Sequence, residues 1–277
     1  MIYLALGDSI THGYNATGES RRYVALLAQK LDRLERTSVH VHAKPGWTAS
    51  QLAASLPKVP ECILREAAIV TVMVGGNDLL RAMPWYLNDA DSGRDRLDQS
   101  FSPAMREILR LAPGRPGAQR LLCTVYNPFP EWDLACTAVE DLNGMIQRAA
   151  AEHGCPVVSV HRSYAGRERD LVDGYRSGQS DDFRLVRNPI HPNDSGHALL
   201  AEELFALCER RLGKPGSRGK RPGGGRRATG AAAGSGQARE RRAGPRRPAR
   251  KEEAQTAAFS RRGKPQPPQP PRRPMTR

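Results

Sequence analysis

The sequence predicts an α/β fold, a parallel β-sheet with helices packed on both faces. Three features of the chain point there. Short apolar or alternating runs recur at residues 2–6, 38–43, 67–74, 120–125 and 156–160. Segments with apolar residues at helical spacing separate them. The run at 67–74, AAIVTVMV, is apolar almost throughout, as expected of a central strand covered on both sides. Strands alternating with helices favour a parallel sheet, and such sheets bind ligands beyond the carboxyl ends of their strands.

Taken in order, residues 2–6 form a first buried strand. Val24, Leu27, Leu31 and Leu34 recur every three or four positions, so 21–34 is a helix. SVHVHA at 38–43 alternates and is β-branched, giving a second strand. A short helix over 49–56 is stopped by Pro57. The third strand is 67–74, and a helix over 98–111 ends at Pro113-Gly114. RLLCTV at 120–125 is the fourth strand. A long helix over 134–153 is closed by Gly154, and 156–160 is the fifth strand. Asp194 or Ser195 caps a final helix that runs to Leu212.

Charge divides the chain of 277 residues in two. The formal charge is +14, but residues 213–277 hold 19 Lys+Arg against 3 Asp+Glu, so residues 1–212 are close to neutral at −2. The later segment also has 10 Pro, 11 Gly and a single aromatic, Phe259. It lacks the apolar surface to offset the entropy of ordering and is expected to be a disordered basic tail. It reads either as a solvated extension or as an arm for nonspecific contact with nucleic acid or an anionic membrane. Residues 1–212 are expected to form one domain. The odd count of cysteines (Cys62, Cys123, Cys136, Cys155, Cys208), with no CxxC, suits thiols in a reducing compartment. The first apolar run is too short for a signal peptide and no run is long enough to span a membrane, so a cytoplasmic protein is expected.

Four positions carry candidate chemistry. Ser9 follows the first strand and reads either as a helix cap or as a nucleophile that needs a base. Gly46, in Lys44-Pro-Gly-Trp, reads as a turn residue or as a backbone donor brought close to a ligand. Gly75-Gly76-Asn77-Asp78 reads as a capped turn or as a close approach with the Asn77 amide donating to an oxyanion. His191 sits in a loop between prolines before the last helix and is either incidental or a base. His197, inside that helix, reads as a surface residue or a helix-face contact. Each of the four follows a different strand or precedes the last helix, so all fall at one edge of the sheet. Together they supply nucleophile, backbone donor, side-chain donor and base, the set that acyl transfer requires.

The blocks GDSITHGY, the glycine of KPGWT, GGND and NPIHPNDSGH, in this order, resemble the SGNH hydrolases, also called the GDSL esterase/lipase family. The resemblance spans residues 1–212. It implies a flavodoxin-like three-layer α/β/α sandwich with a five-stranded parallel sheet. It implies Ser9 as nucleophile, His191 as base, and an oxyanion hole from the Ser9 N–H, the Gly46 N–H and the Asn77 side chain. The implied substrates are carboxylic esters or thioesters of lipids, sugars and small acyl groups, hydrolysed without a metal or organic cofactor.

One position departs from the pattern. The last block ordinarily reads Asp-x-x-His, and here Asn188 fills the Asp slot. A carboxylate would both orient the histidine and stabilise its imidazolium, and an amide can do only the first. Three outcomes follow: Asn188 or a backbone carbonyl orients His191 in a dyad, Asp181 or Asp182 supplies the charge, or the site is slow. The expected function is a serine esterase, and the alternative is a degenerate binding or regulatory protein. Loops at 82–87 and 126–132 are expected to shape the cleft, with Trp85 and Trp132 either at its edge or covering the core.

Overall fold

The computed structural model describes residues 1–184 and 188–212. The expected basic tail at 213–277 lies outside the described residues.

Five strands, β1 (Ile2–Gly7), β2 (Ser38–Ala43), β3 (Ile69–Met73), β4 (Gln119–Cys123) and β5 (Val157–Val158), form one parallel sheet in the order β2-β1-β3-β4-β5. This is the flavodoxin-like order, with its switch point between β1 and β3. Among the described residues, α1 (Ser9–His12), α2 (Tyr23–Asp32), α3 (Ala49–Ser55), α4 (Glu61–Glu66), α5 (Gly76–Asn88), α6 (Ala90–Leu111) and α7 (Asp133–Glu152) connect the strands, and α8 (Val160–Tyr164), α9 (Glu168–Leu171) and α10 (Asp194–Leu212) follow β5.

Side chains alternate across a strand, so each strand feeds two cores. Leu4, Leu6, Val70, Val72 and Leu122 pack with α3, α5, α6 and α7 on one face. Tyr3, Ala5, Ile69, Met73, Leu121 and Cys123 pack with α2, α8 and α10 on the other. Leu4, Leu6, Leu27 and Leu204 are fully buried, and burying each such side chain contributes about 1.5–3 kcal/mol. Thr71, the one polar residue of β3, is satisfied by the Tyr3 hydroxyl at 3.1 Å.

Three expectations change. The segment at 82–87, expected as a loop, lies inside α5. Its Leu79, Ala82, Met83 and Tyr86 are buried at helical spacing, and that packing overrides the proline. The fifth strand shrinks to Val157–Val158, because Val160 already begins α8. Of the two readings of His197, the surface one gives way to the helix-face contact: the ring is fully buried, with Nδ1 accepting from the Tyr23 N–H (3.4 Å) and Nε2 against the Tyr14 carbonyl (3.3 Å).

Candidate active site

β1 delivers its last residues into a crowded corner. A Cβ on Gly7 would collide with Thr11 Oγ1 and the Met73 carbonyl, so only glycine lets the chain pass there. Asp8 then caps α1, its Oδ1 accepting from the Ile10 N–H at 3.1 Å. The cap is therefore Asp8, and Ser9 is the first helical residue, 8% exposed. Burial pushes the Asp8 carboxyl up to about 7, opposed by the Ile10 N–H and reinforced by the nearby Asp78.

The other edge of the site is built after β2 and β3. Lys44-Pro45-Gly46-Trp47 is a turn closed by the Trp47 N–H on the Lys44 carbonyl (3.2 Å). Gly46 takes its third position with φ +82°, a conformation that disfavours any side chain. Asn77, in the first turn of α5, donates one amide hydrogen to the Trp47 carbonyl at 3.0 Å. That leaves its second hydrogen for the cleft that Asn77 lines. Asp78 accepts from the Ala49 N–H at 2.9 Å, which pins the start of α3, and so the Gly46 turn, to α5. Burial pushes the Asp78 carboxyl up to about 6, less the effect of that N–H.

His191 arrives from a distant part of the chain. The segments 171–173 and 191–193 run antiparallel through a bridge between Val172 and Pro192. The Tyr126 hydroxyl holds the Ile190 carbonyl at 2.7 Å. With the backbone so fixed, His191 Nε2 lies 2.9 Å from Ser9 Oγ, although 182 positions separate them in sequence. The Tyr14 ring packs on the imidazole with centroids 4.6 Å apart. Burial holds the His191 pKa down to about 4, assisted by His197 and opposed by Asp173. The imidazole is therefore neutral near pH 7 and its Nε2 is free to accept the Ser9 proton.

The structure thus brings Ser9, Gly46, Asn77 and His191 around one cleft. It does not put the Asn188 amide on the histidine: Asn188 Oδ1 accepts from the Arg184 N–H at 2.5 Å. Asp182 is also engaged elsewhere, its Oδ2 accepting from Ser177 N, Ser177 Oγ and Gly178 N. Asp181 is exposed, and neither acid lines a cavity that holds Ser9 and His191. Trp85 is 43% exposed and stacked under Arg96, away from Ser9. Asp194 does not cap α10. Asn193 does, through its Oδ1 and the Gly196 N–H, while Asp194 ties the helix to Thr17. Residues that sequence reasoning missed include Asn15 and Phe183, which carry no motif of their own, and Tyr14, which closes the block GDSITHGY but carried no assigned role.

Two cavities meet at Ser9 and His191. One is narrow, about 80 Å³, and walled by Leu79, Met83, Val125, Phe129, Trp132 and Phe183. Phe129, Trp132 and Phe183 pack against one another there, with ring centroids 5.7–6.2 Å apart. The other is a wider, polar-edged cleft of about 900 Å³, with Tyr14, Gly46, Asn77 and Asp173 on its walls. Among the described residues no cluster of three His, Cys, Asp or Glu side chains could hold a metal ion. No described helix is long and apolar enough to cross a membrane.

Comparison with known proteins accords with this geometry. The spore germination lipase LipC of Bacillus licheniformis is 27% identical over 223 residues, covering 76% of this chain and 97% of the relative. Among solved structures, the lipase Lip_vut3 from a goat rumen metagenome is 24% identical with a TM-score of 0.60, covering 74% of this chain and 96% of that one. Phospholipase A1 of Streptomyces albidoflavus has 16% identity and a TM-score of 0.58, covering 74% and 98%. A catalytic mutant of Axe2, an acetylxylan esterase of Geobacillus stearothermophilus, has 20% identity and a TM-score of 0.56, covering 78% and 97%. These structural likenesses show the shared fold. Residues 5–199 match the GDSL-like Lipase/Acylhydrolase family, and the protein belongs to that family of ester hydrolases.

Proposed function

We propose that the protein hydrolyses esters of short to medium straight-chain acids through an acyl-enzyme on Ser9. The observation that carries this is the 2.9 Å contact between Ser9 Oγ and His191 Nε2 at the mouth of the narrow apolar cavity. The acyl chain enters that cavity and the alcohol portion occupies the wider cleft. Ser9 Oγ bonds to the ester carbonyl carbon as its proton passes to His191 Nε2. The carbonyl electron pair moves to oxygen, and the Ser9 and Gly46 N–H groups and the Asn77 amide receive that oxyanion. Collapse breaks the bond to the alcohol oxygen, which takes the proton from His191. Water then adds to the acyl carbon, gives a proton to His191, and the acid leaves as Ser9 recovers its proton.

A fluorophosphonate probe tests this directly. Wild type is expected to be labelled and Ser9→Ala is not, with hydrolysis of p-nitrophenyl butyrate lost in parallel. Equal hydrolysis by Ser9→Ala refutes the mechanism. Asn188 favours a second reading, a site that binds esters but turns them over slowly. A kcat below about 0.1 s⁻¹ across ester substrates, against about 10 s⁻¹ for a median enzyme, would support it.

A further inference from the structure

We propose that Asp173, outside every motif block, is the residue whose negative charge stabilises His191 when it is protonated during turnover. This rests on the Ser9–His191 mechanism above and names its missing acid.

The register of the antiparallel bridge carries the argument. Val172 pairs with Pro192, the Asp173 N–H donates to the His191 carbonyl at 2.9 Å, and the Asn193 N–H donates to the Leu171 carbonyl at 2.9 Å. Asp173 therefore stands directly opposite His191. Opposed residues on an antiparallel pair project to the same face with Cβ atoms about 4.5–5.5 Å apart. Both side chains line the wide cleft together with Ser9.

The carboxylate is also held in place. Asn15 Nδ2 donates to Asp173 Oδ2 at 2.7 Å, and Oδ1 has no hydrogen-bond partner among the described residues. Asn15 adopts φ +64°, which asparagine tolerates better than most residues. Its neighbour Tyr14 covers the imidazole. One short loop thus grips the base with one residue and the acid with the next.

Competing acids are committed elsewhere. Asp182 is bonded to the 177–178 turn and Asp194 to Thr17. Asp8 lies behind Ser9 as the α1 cap. The other titratable or charged groups around the imidazole are His197 from α10, Tyr14, and Arg176 at the cleft wall. His197 opposes protonation, and Asp173 favours it. Asp173 is solvent-exposed, so its effect is screened and smaller than that of a buried triad acid.

The test is kcat and kcat/KM against pH for wild type, Asp173→Asn and Asp173→Glu, using a soluble p-nitrophenyl ester, with fluorophosphonate labelling of each. Asp173→Asn keeps an acceptor for Asn15 but removes the charge. Its kcat is expected to fall about tenfold, against about 10⁴ for the Asp-to-Asn change in a serine protease triad, with little change in KM. The acid limb of kcat/KM is expected to move to lower pH by about half a unit or more, since a lost opposite charge disfavours the imidazolium. Asp173→Glu is expected to restore most of both. An unchanged kcat and acid limb, with Ser9 still labelled, overturns the role of Asp173 alone. Equal losses in both variants without movement of the acid limb overturn it too, as a structural effect. Wild type that is not labelled at Ser9 overturns the underlying mechanism, and this inference with it.

Discussion

The acyl cavity makes the sharpest demand on substrate. Its volume is about 80 Å³, and a water-sized group needs about 10–15 Å³ of such space. The cavity therefore holds about five to eight water-sized groups, and a straight chain of about that many carbons fills it. Each methylene that enters contributes about 0.8 kcal/mol, or about fourfold in kcat/KM. In a series of p-nitrophenyl esters from acetate to decanoate, kcat/KM is expected to rise at each step and then level near hexanoate to octanoate. Ala135, on α7, is buried and lines this cavity. Ala135→Leu adds three carbons to the wall, so the plateau is expected to move about three carbons shorter. Acetate, which places nothing deep in the cavity, is expected to react as in wild type. Overpacking costs about 1–3 kcal/mol in stability, so a melting curve accompanies the kinetics. A plateau that does not move, in a variant that folds, refutes the acyl assignment. A uniform loss that includes acetate refutes it as well, because the substitution would then be acting on the catalytic groups.

Three further outcomes are expected. Asn77→Ala removes both the donor to the oxyanion and the Trp47 clamp, and kcat is expected to fall about 10²–10³-fold, measured with the same esters. The His191 pKa near 4 lies below the ordinary value of 6.5, and the unprotonated ring is the active form. Rate profiles are therefore expected to stay flat down to about pH 5 and to fall only below it, whereas an acid limb at pH 6–7 would contradict the burial of the ring. Asp8, raised to about 7 in the folded state from 3.8, binds a proton more tightly folded than unfolded, so its contribution to stability is present at low pH and is lost as pH rises from about 4 to 7. The stability of Asp8→Asn relative to wild type, from urea melts, is expected to grow over that window by up to about 4 kcal/mol, and a difference independent of pH would refute the shift.

Much of the fold was legible because its information is local. β1, β3 and β4 are apolar runs bounded by turn residues, and the helices α2, α7 and α10 repeat apolar positions at helical spacing. What was not legible depends on packing between distant segments. SVHVHA alternates like a half-buried strand, yet β2 is an edge strand with Val39 and Val41 exposed. Strand order decides that, and no window of six residues contains strand order. The segment at 82–87 read as a loop, yet Leu79, Met83 and Tyr86 form a helical stripe that runs past Pro84. The core shared by α5, α6 and α7, drawn from distant segments, holds that stripe as helix.

The site divides in the same way. Ser9, Gly46 and Asn77 were legible because each lies just beyond a strand, where an α/β sheet opens its cleft. Asn15 and Asp173 were not, since their bond spans 158 positions and neither sits in a motif. Their arrangement bears on how a family site works with Asn188 in the acid slot. A ring with a pKa near 4 meets substrate fully neutral, so no proton must be shed before it accepts one. The difficulty falls later, when a buried imidazolium forms. At that moment the oxyanion forms too, on a carbon bonded to the same Ser9 Oγ that the imidazole has just deprotonated. The two new charges are opposite and close, and each lowers the cost of the other in a poorly solvated pocket. With Gly46 and Asn77 receiving that oxyanion, as the proposed mechanism has it, less is left for a carboxylate to do. Under the proposed mechanism, a single screened charge at Asp173, held by Asn15 at the cleft wall, would do the remaining work of a buried acid.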